Sequence, residues 1–537
     1  MVFIMKALVY KDFDGEEFIY NDDTGMIFPY DPKLLSVMEH GKSQSANYMD
    51  RYYANLIGNL QNHTIQVPRN VDSIETHLHT NGFSQLTLKV TEQCNMRCKY
   101  CIYSEHYPDT KFYSEVYMKW ETAKKAVDDF LSHFHRTWER NKTRKPVIAF
   151  YGGEPLLGFD VIKKTVEYVK SEYSQYCFNY SITTNGLLLK NKDIANFLKE
   201  NGFWIVVSLD GTKDNHDRYR VTRGGAPTYD CLMEIIEENF SFYKSIYSVC
   251  CYDVTSDLVA LTEFYEKNDR RKGGKFPAVL RASRINGAFT DFYDNISQEQ
   301  FIAHRKQLDM LQEKYLEYVV ANKIPPIFLS LLFSQIFVSI SERVKFFSDS
   351  AFYDCCCGAC VPGDKLFVES DGVYKICEKT NMQGLEIGSV DKGFCFAAAK
   401  NAICAYNDCI LAKCKECNCS RLCSLCYASI KTFPALELDG SDYCERTIHW
   451  ITECLAAYTS VEKKVKSLIF QMELQVWQIF TPHIILFEAV KYEHNEKLLA
   501  TTYQKTHFCN GDSDYLFNRF HGSDAINAKI NRCWIYK

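Results

Sequence analysis

Three cysteines in the stretch KVTEQCNMRCKYCIYS have a type and spacing suited to metal chemistry: Cys94, Cys98 and Cys101. Structural zinc sites use four ligands, typically in separated pairs, so a close group of three thiolates argues against zinc. In a four-iron cluster, three thiolates hold three irons and leave the fourth iron open. An open metal position is a place to bind and activate another molecule. The spacing therefore indicates an iron–sulfur cluster whose missing ligand comes from a cofactor.

A second group of cysteines lies in the C-terminal half. The chain has 24 cysteines, and 14 of them fall between Cys355 and Cys444. In a long chain without a recognisable secretion signal, closely spaced thiols indicate metal binding rather than a disulfide framework. Only five residues separate Cys417 from Cys423, fewer than in a zinc ribbon, so a zinc-bound structural domain is the minor alternative. Four isolated cysteines are expected to be buried free thiols: Cys177, Cys231, Cys395 and Cys454.

The charge balance limits the classes of partner. The 62 Lys and Arg residues against 67 Asp and Glu give a net charge of -5, which offers no basic surface for nucleic acid or an anionic membrane. The first residues lack the features of a secretory signal, so we expect a cytoplasmic protein. Two apolar stretches, 324–340 and 467–490, are interrupted by polar residues or proline and are poor membrane spans. The first predicts a buried helix that opens after Pro325 and Pro326.

From Leu86 onwards, short apolar strands alternate with amphipathic helices, which predicts parallel βαβ units. The carboxyl ends of parallel strands lie on one face, where (β/α) barrels carry out their chemistry. A doubly wound sheet also binds ligands at its strand ends, but no G-x-G-x-x-G motif follows the first strand. We therefore expect four polar motifs, each directly behind a predicted strand, to gather on one face: Cys94 to Cys101, Gly152 to Pro155, Thr184 to Gly186 and Ser208 to Gly211.

The 537 residues are enough for roughly three or four domains. Near the N-terminus the pattern predicts a hairpin turned at Asp22 to Gly25, followed by a helix from Asp31 or Pro32. We predict five consecutive parts: an N-terminal domain at 1–84, the strand and helix repeats at 85–300, a helical bridge at 301–350, the cysteine-rich domain at 351–450 and a helical tail at 451–537.

The cysteine loop resembles that of a known family. Cys94, Cys98, Tyr100 and Cys101 match the C-x3-C-x-aromatic-C signature of the radical S-adenosylmethionine (radical SAM) enzymes. The resemblance implies that these cysteines are catalytic and hold a 4Fe-4S cluster. S-adenosylmethionine then chelates the open iron, and an electron from the cluster splits it to give a 5'-deoxyadenosyl radical. It also implies an α/β fold with a partial (β/α)6 TIM-like barrel at 85–300.

The motif YGGEP resembles the second signature of this family. The resemblance implies that Gly152 and Gly153 let the backbone approach the cofactor, and that Glu154 binds the methionine ammonium group. A plain glycine turn between strand and helix is the ordinary alternative. Thr184 and Asn185, in TTNG, resemble the strand end that lies along the ribose and methionine of the cofactor.

Ser208 and Arg220 resemble a pair that holds the methionine carboxylate in the peptide-modifying branch of the family. An arginine fork suits a carboxylate because it donates two parallel hydrogen bonds. By themselves the two residues are more often a strand end and a surface charge. Agreement of four strand ends in the same order favours the family interpretation over residues 86–287.

The cysteine-rich region resembles the SPASM extension of radical SAM enzymes, whose cysteines hold two auxiliary 4Fe-4S clusters. The resemblance therefore implies three clusters in all. Carried over by order, the ligands of the first auxiliary cluster are Cys357, Cys360, Cys377 and Cys426, and those of the second are Cys414, Cys417, Cys423 and Cys444.

Two departures leave part of this set open. The general pattern has three residues before the seventh cysteine, whereas Cys423 and Cys426 are separated by two. Cys355 and Cys356 compete with Cys357 for the first position, and Cys419 is a spare thiol within reach of the second set.

Within the SPASM group, the sequence most resembles sactipeptide and ranthipeptide maturases, which form thioether cross-links from cysteine sulfur to carbon in a ribosomally made precursor peptide. The resemblance implies a cysteine-containing precursor peptide and a reductant such as flavodoxin or ferredoxin as partners. The N-terminal domain would then be a winged-helix peptide-recognition element, to which the leader adds as a strand.

Two alternatives remain. An anaerobic sulfatase maturase, which forms formylglycine, shares every motif named above. A non-catalytic electron-transfer or sensor protein with several clusters explains the cysteines but leaves Glu154, Ser208 and Arg220 without a role.

Overall fold

The computed structural model describes residues 5–40, 74–108, 110–241, 243–269, 276–341, 359–380, 384–431, 435–438 and 443–480. The chain divides into two compact units, Met1–Ala456 and Ala457–Lys537. All elements that position the candidate site belong to the first unit.

A central sheet of ten strands carries the site. Its order is β13-β12-β11-β10-β4-β5-β6-β7-β8-β9, and the six strands from β4 to β9 are parallel neighbours in chain order. These six strands confirm the predicted α/β class and the succession of parallel βαβ units. Their bounds are Gln85–Thr91 (β4), Val147–Gly152 (β5), Asn179–Thr184 (β6), Trp204–Ser208 (β7), Ile246–Tyr252 (β8) and Ala278–Arg284 (β9).

Helices connect the parallel strands and bury their apolar faces against the same core. The helix after β4 shows the pattern, because the apolar residues that recur along one of its faces are all buried: Ala123, Ala126, Val127, Phe130, Leu131 and Phe134. The helices up to β9 are Ile74–Thr80 (α2, before β4), Trp120–Arg140 (α3), Phe159–Glu172 (α4), Lys192–Glu200 (α5), Lys213–Tyr219 (α6), Tyr229–Phe240 (α7) and Leu258–Lys267 (α8).

The N-terminal segment is an antiparallel sheet with one helix. Strands β1 (Ala7–Lys11), β2 (Glu17–Asn21) and β3 (Met26–Pro29) are followed by α1 (Pro32–His40), as the hairpin and helix predictions required. Gly25 completes the β2–β3 turn with a φ of +69°, a value that glycine adopts without strain. The predicted winged helix extends into residues 41–73, which lie outside the described part of the chain.

Two helices follow the parallel sheet. They are α9 (Gln298–Val320), opened by a capping box at Ser297, and α10 (Ile327–Ser341), which begins directly after Pro325 and Pro326. No helix among the described residues is long and apolar enough to cross a membrane.

The cysteine-rich region joins the central sheet, a connection that the sequence patterns did not predict. Strand β10 (Lys365–Val368) pairs in parallel with β4, and three antiparallel strands extend the sheet beyond it. The first strand of the parallel sheet is thus covered by a much later part of the chain. The remaining elements are β11 (Val373–Lys375), β12 (Glu386–Ser389), β13 (Gly393–Phe394), α11 (Phe396–Lys415), the β14–β15 ladder (Ile430–Lys431 and Glu437–Leu438) and α12 (Tyr443–Phe480).

Candidate functional site

The four polar motifs meet at the carboxyl ends of β4 to β7, as expected for parallel strands. Asn185, after β6, donates from Nδ2 to Asn95 Oδ1 at 2.7 Å and lies 3.8 Å from Cys94 Sγ, so the TTNG segment touches the cysteine loop. Arg220, which follows α6, lies 2.5 Å from Tyr100 Oη in the same loop. The structure thus brings the cysteine loop, Asn185 and Arg220 together.

Backbone hydrogen bonds fix the cysteine loop against the segment that carries Arg220. Arg97 N donates to Val221 O at 2.9 Å, and Lys99 N donates to Tyr219 O at 3.1 Å. Within the loop, Cys101 N donates to Cys98 O at 3.0 Å. The positions of the cysteines and of Arg220 are therefore set together.

The three thiols of this loop are close enough to influence one another. Burial raises the pKa of Cys94 to about 12, and the neighbouring groups of Glu154, Cys98 and Cys101 act in the same direction. Burial also raises the pKa of Cys98, to about 11, although Arg220 opposes the shift. Iron ligation requires thiolates, so cluster binding must release these protons.

The donor set of this loop is three cysteine thiols. In a four-iron cluster each thiolate binds a different iron, so the ligands need not converge on one point. Three neighbouring thiols fit a cluster with one open iron.

Gly152 and Gly153 make a close approach to the cysteine loop. A Cβ at Gly153 would lie 2.3 Å from Gln93 O, and one at Gly152 would lie 2.3 Å from Thr91 O. The backbones are also bonded, because Glu154 N donates to Gln93 O at 2.8 Å. The close contact that these glycines permit is therefore with the backbone of the cysteine loop, a role that the comparison with the family signature did not assign.

Glu154 is buried, with 1% of its surface exposed, and its carboxylate is largely satisfied by the protein. Oε1 accepts from Thr184 Oγ1 at 2.7 Å and from Leu156 N at 3.1 Å, and Oε2 accepts from Asn185 N at 2.8 Å. Burial raises the pKa of this carboxyl, against the effect of these hydrogen bonds. A carboxylate has about four acceptor positions, so one stays available on Oε2 for an ammonium group.

Arg220 is buried beside Tyr100 and Asp210. Tyr100 Oη donates to Asp210 Oδ2 at 2.6 Å, and Arg220 Nη1 lies 4.0 Å from the same oxygen. Arg220 Nε is buried without a hydrogen-bond partner in the structure. An unsatisfied guanidinium donor is suited to an incoming carboxylate. Ser208 lies at the end of β7, two residues before Asp210.

Asp210 and His216 were missed by the sequence predictions. Asp210 Oδ1 accepts from Cys251 N at 2.8 Å, which joins the ends of β7 and β8. Burial lowers the pKa of His216 to about 2, so its neutral ring accepts from Asp210 N at 3.3 Å through Nδ1 and donates to Thr228 Oγ1 at 3.0 Å through Nε2. The sequence signal that could have identified Asp210 was the Asp of the motif SLDG, directly after β7.

In the cysteine-rich region, the four cysteines expected to form the second set are neighbours. Burial raises the pKa of Cys444, and three thiols act in the same direction: those of Cys414, Cys423 and Cys417. Cys419, the spare thiol, is buried with its Sγ 3.8 Å from Cys417 Sγ.

The first set is only partly described. Cys357, with its competitors Cys355 and Cys356, lies outside the described residues. Cys360 is half-buried. Cys377 is a buried thiol two residues after β11, and Cys426 is a half-buried thiol.

Buried ion pairs connect the cysteine loop to the region around Cys377. Lys89 Nζ lies 2.7 Å from Glu92 Oε1 and 2.5 Å from Glu369 Oε2. Lys111 Nζ lies 3.4 Å from Glu369 Oε1 and donates to Glu378 O at 2.7 Å. Although burial alone raises the pKa of Glu369, the two lysines hold it below its ordinary value. Strand β10 is thereby tied to the end of β4.

The isolated cysteines differ from expectation. Cys454 is buried, as predicted, but Cys177, Cys231 and Cys395 are exposed. Each of the three lies outside the apolar core, so the prediction of burial was wrong for them.

Comparison with known proteins defines the class of the site. Residues 88–247 match the radical SAM superfamily. These residues contain β4 to β7, the cysteine loop, Glu154 and Arg220, so the match covers the site described above. The chain therefore contains a radical SAM domain, the catalytic domain of a superfamily of enzymes that bind S-adenosylmethionine and a 4Fe-4S cluster.

Particular relatives include maturation enzymes. A cysteine-type anaerobic sulfatase-maturating enzyme of Clostridium novyi is 27% identical over 353 residues, which are 64% of this chain and 87% of the relative. The radical SAM cyclopropyl synthase TigE of Paramaledivibacter caminithermalis is 26% identical over 212 residues, 37% of this chain and 43% of that protein. A solved structure, native anSMEcpe with bound AdoMet, aligns over 73% of this chain and 98% of its own at 20% identity and a TM-score of 0.48.

Proposed function

We propose that this protein is a radical SAM peptide maturase that links a cysteine sulfur of a ribosomally made precursor peptide to a carbon atom of another residue. The observation that carries the proposal is the second group of neighbouring thiols, Cys414, Cys417, Cys423 and Cys444, in the same compact unit as the radical SAM site. Such a group gives an oxidative reaction a place for the electron that leaves the substrate.

The residues of the radical SAM site have separate roles in this proposal. The thiolates of Cys94, Cys98 and Cys101 would hold a 4Fe-4S cluster, which together with S-adenosylmethionine would supply radical chemistry. The free acceptor position on Glu154 takes the methionine ammonium group. The buried fork of Arg220, with Ser208, takes the methionine carboxylate.

The balance of the reaction requires an electron acceptor. One hydrogen atom leaves the acceptor residue of the peptide for the deoxyadenosyl radical. Formation of the carbon–sulfur bond by the substrate thiolate then leaves one excess electron, and the thiol proton goes to solvent. Two auxiliary clusters would accept this electron. Cys357, Cys360, Cys377 and Cys426 would hold the first, and Cys414, Cys417, Cys423 and Cys444 would hold the second. The protein thus binds three clusters and needs a reductant such as flavodoxin or ferredoxin for the first step.

The N-terminal sheet is the proposed docking place for the peptide. Its order β1-β2-β3 puts β1 and β3 at the edges, where an extended segment can add main-chain hydrogen bonds. With a net charge of -5, the chain has no electrostatic feature that favours nucleic acid over a peptide.

A second candidate, formylglycine formation on a sulfatase, is favoured by one observation. The sulfatase-maturating relative from Clostridium novyi is matched over 87% of its length. Both reactions oxidise a cysteine-containing substrate by hydrogen abstraction, so the site residues have the same roles in each.

The experiment is an anaerobic assay of iron-reconstituted protein with S-adenosylmethionine, a strong reductant and one of two peptides. One is the short cysteine-containing peptide encoded beside the gene, and the other contains a sulfatase active-site cysteine. Mass spectrometry reads the product. The matched control is the protein with Cys94, Cys98 and Cys101 all changed to Ala.

A thioether maturase removes two hydrogens per bridge from the encoded peptide and leaves the sulfatase peptide unchanged. Replacement of sulfur and two hydrogens by one oxygen in the sulfatase peptide identifies the second candidate. Deoxyadenosine formation with both peptides unchanged contradicts both assignments of substrate.

A further inference from the structure

The β2–β3 turn of the N-terminal sheet packs against the loop of the second four-cysteine set. Ser420 Oγ donates to Asp22 Oδ2 at 2.6 Å, and Arg421 N donates to Asp22 Oδ1 at 3.2 Å. Both donors lie between Cys417 and Cys423. A single side chain of the N-terminal sheet thus holds two successive residues of the loop between Cys417 and Cys423.

Asp22 is held rigidly and is almost wholly buried, with 1% of its surface exposed. Tyr20 Oη donates to Asp22 Oδ1 at 3.1 Å, and Asp22 N donates to Lys6 O at 3.0 Å. The turn behind it is closed by Asn21 Oδ1, which accepts from Thr24 N at 2.9 Å and from Thr24 Oγ1 at 2.6 Å. A buried carboxylate needs its donors, so displacement of the loop is unfavourable.

Lys6 makes an independent contact with the same region. Its Nζ donates to Cys414 O at 3.2 Å, while its backbone N donates to Asp23 Oδ2 at 2.6 Å. The ammonium group therefore lies against the backbone of one cysteine of the set. Net charge close to an iron–sulfur cluster is one of the factors that set its reduction potential.

We propose that the N-terminal sheet is a positioning element for the second auxiliary site. Asp22, in the β2–β3 turn, holds the loop between Cys414 and Cys423. Lys6, directly before β1, places a positive charge beside this loop. This inference rests on the proposed function, which puts a cluster on Cys414, Cys417, Cys423 and Cys444. We expect the peptide to dock on the N-terminal sheet. In this proposal the same sheet also supports the electron acceptor directly.

The test compares Asp22→Ala and Ser420→Ala in the full-length, iron-reconstituted protein. Ser420→Ala removes the hydrogen bond from the loop side, so it tests the contact even if Asp22→Ala disturbs the N-terminal sheet. The control is Asp14→Asn, an exposed aspartate in the β1–β2 turn of the same sheet. The readouts are iron and sulfide content, the electron paramagnetic resonance spectrum of the reduced protein, and deoxyadenosine formation.

We expect both variants to lose the iron of one cluster or to change its resonance signal, while deoxyadenosine formation and the Asp14→Asn protein stay at the wild-type level. Wild-type iron content and spectra in both variants would overturn the inference and leave the proposed function intact. Wild-type protein that binds no iron beyond the radical SAM cluster overturns both.

Lys6 gives a separate readout. Lys6→Gln removes the positive charge, so we expect a more negative reduction potential for the second auxiliary cluster at unchanged iron content, with recovery in Lys6→Arg. Lys33→Gln, at an exposed lysine of α1, is the control. An unchanged potential in Lys6→Gln contradicts the role given to this residue.

Discussion

The radical SAM site and the second four-cysteine set are held in different ways. The first lies at the ends of four parallel strands, and its loop is bonded to each neighbour: to Gly153 and Glu154, to Asn185 and to Arg220. The second begins at Cys414, in the last turn of α11, and is tied by Asp22 and Lys6 to a small sheet near the N-terminus. The first is built into the core of the domain, whereas the second depends on a contact between distant segments. The two sites can therefore be lost separately.

The largest expected effect separates the two sites completely. With Cys94, Cys98 and Cys101 all changed to Ala, we expect deoxyadenosine formation to fall to background, because the proposal gives these three thiolates to the radical SAM cluster as its ligands. Iron at the cysteine-rich region is expected to remain. The measurement is deoxyadenosine by liquid chromatography together with iron content. Cys177→Ala, at an exposed cysteine, is the control, and wild-type cleavage in the triple variant contradicts the assignment.

The opposite separation is expected for Cys417→Ala. Deoxyadenosine still forms, but the peptide product disappears, because the substrate electron has lost its acceptor. Mass spectrometry of the peptide and deoxyadenosine are measured in the same reaction. Cys404→Ala, in the middle of α11 and outside the four-cysteine set, is the matched control. Unaltered product in Cys417→Ala removes this set from the mechanism.

Arg220→Lys weakens the first site without destroying it. Lysine keeps the charge but loses the planar fork, so we expect the Kd for S-adenosylmethionine to rise by about 10- to 100-fold. Binding is measured by equilibrium titration of the reconstituted protein. Arg223→Lys, at an exposed arginine three residues away, is expected to bind as wild type. Equal affinities for the two variants show that the buried guanidinium does not contact the cofactor.

The smallest effect is structural and tests how tightly the first site is built. The Cβ of Gly153→Ala would lie 2.3 Å from Gln93 O, so the cysteine loop must shift, at a cost of about 1–3 kcal/mol in the free energy of unfolding. Thermal or denaturant unfolding measures this change. At Gly224 the nearest atom to a Cβ is 3.9 Å away, and Gly224→Ala is expected to be close to neutral. Similar stability of the two variants rules out the tight contact.

The sequence predicted the first site well because parallel strands have a fixed geometry. Motifs that follow successive strands must meet at one face, so Cys94, Glu154 and Asn185 were placed together without any knowledge of their contacts. Arg220 follows helix α6, and only the resemblance to the family assigned it to the site. The role of Gly153 was not predictable, since it depends on which backbone approaches from the neighbouring strand. Asp210 was missed because its partners come from β8 and α6, beyond the range of a local motif.

The second site was predicted only as a spacing of cysteines. Its support by Asp22 and Lys6 is a contact between residues about 400 positions apart, with Asp22 and Ser420 separated by 398. No periodicity or turn pattern in either segment indicates the other. The pairing of β10 with β4 was missed for the same reason, because a parallel partner strand can come from any later part of the chain.

That pairing has a consequence for the order in which the protein is made. Lys89, on β4, and Glu369, directly after β10, are 280 residues apart, so at usual translation rates the covering strand follows on the order of tens of seconds later. Until then one edge of β4 offers unpaired backbone groups to other chains. A shortened protein that ends before Lys365 keeps this edge open permanently. A fragment cut at the limits of the radical SAM match, 88–247, lacks β10 and exposes the same edge of β4.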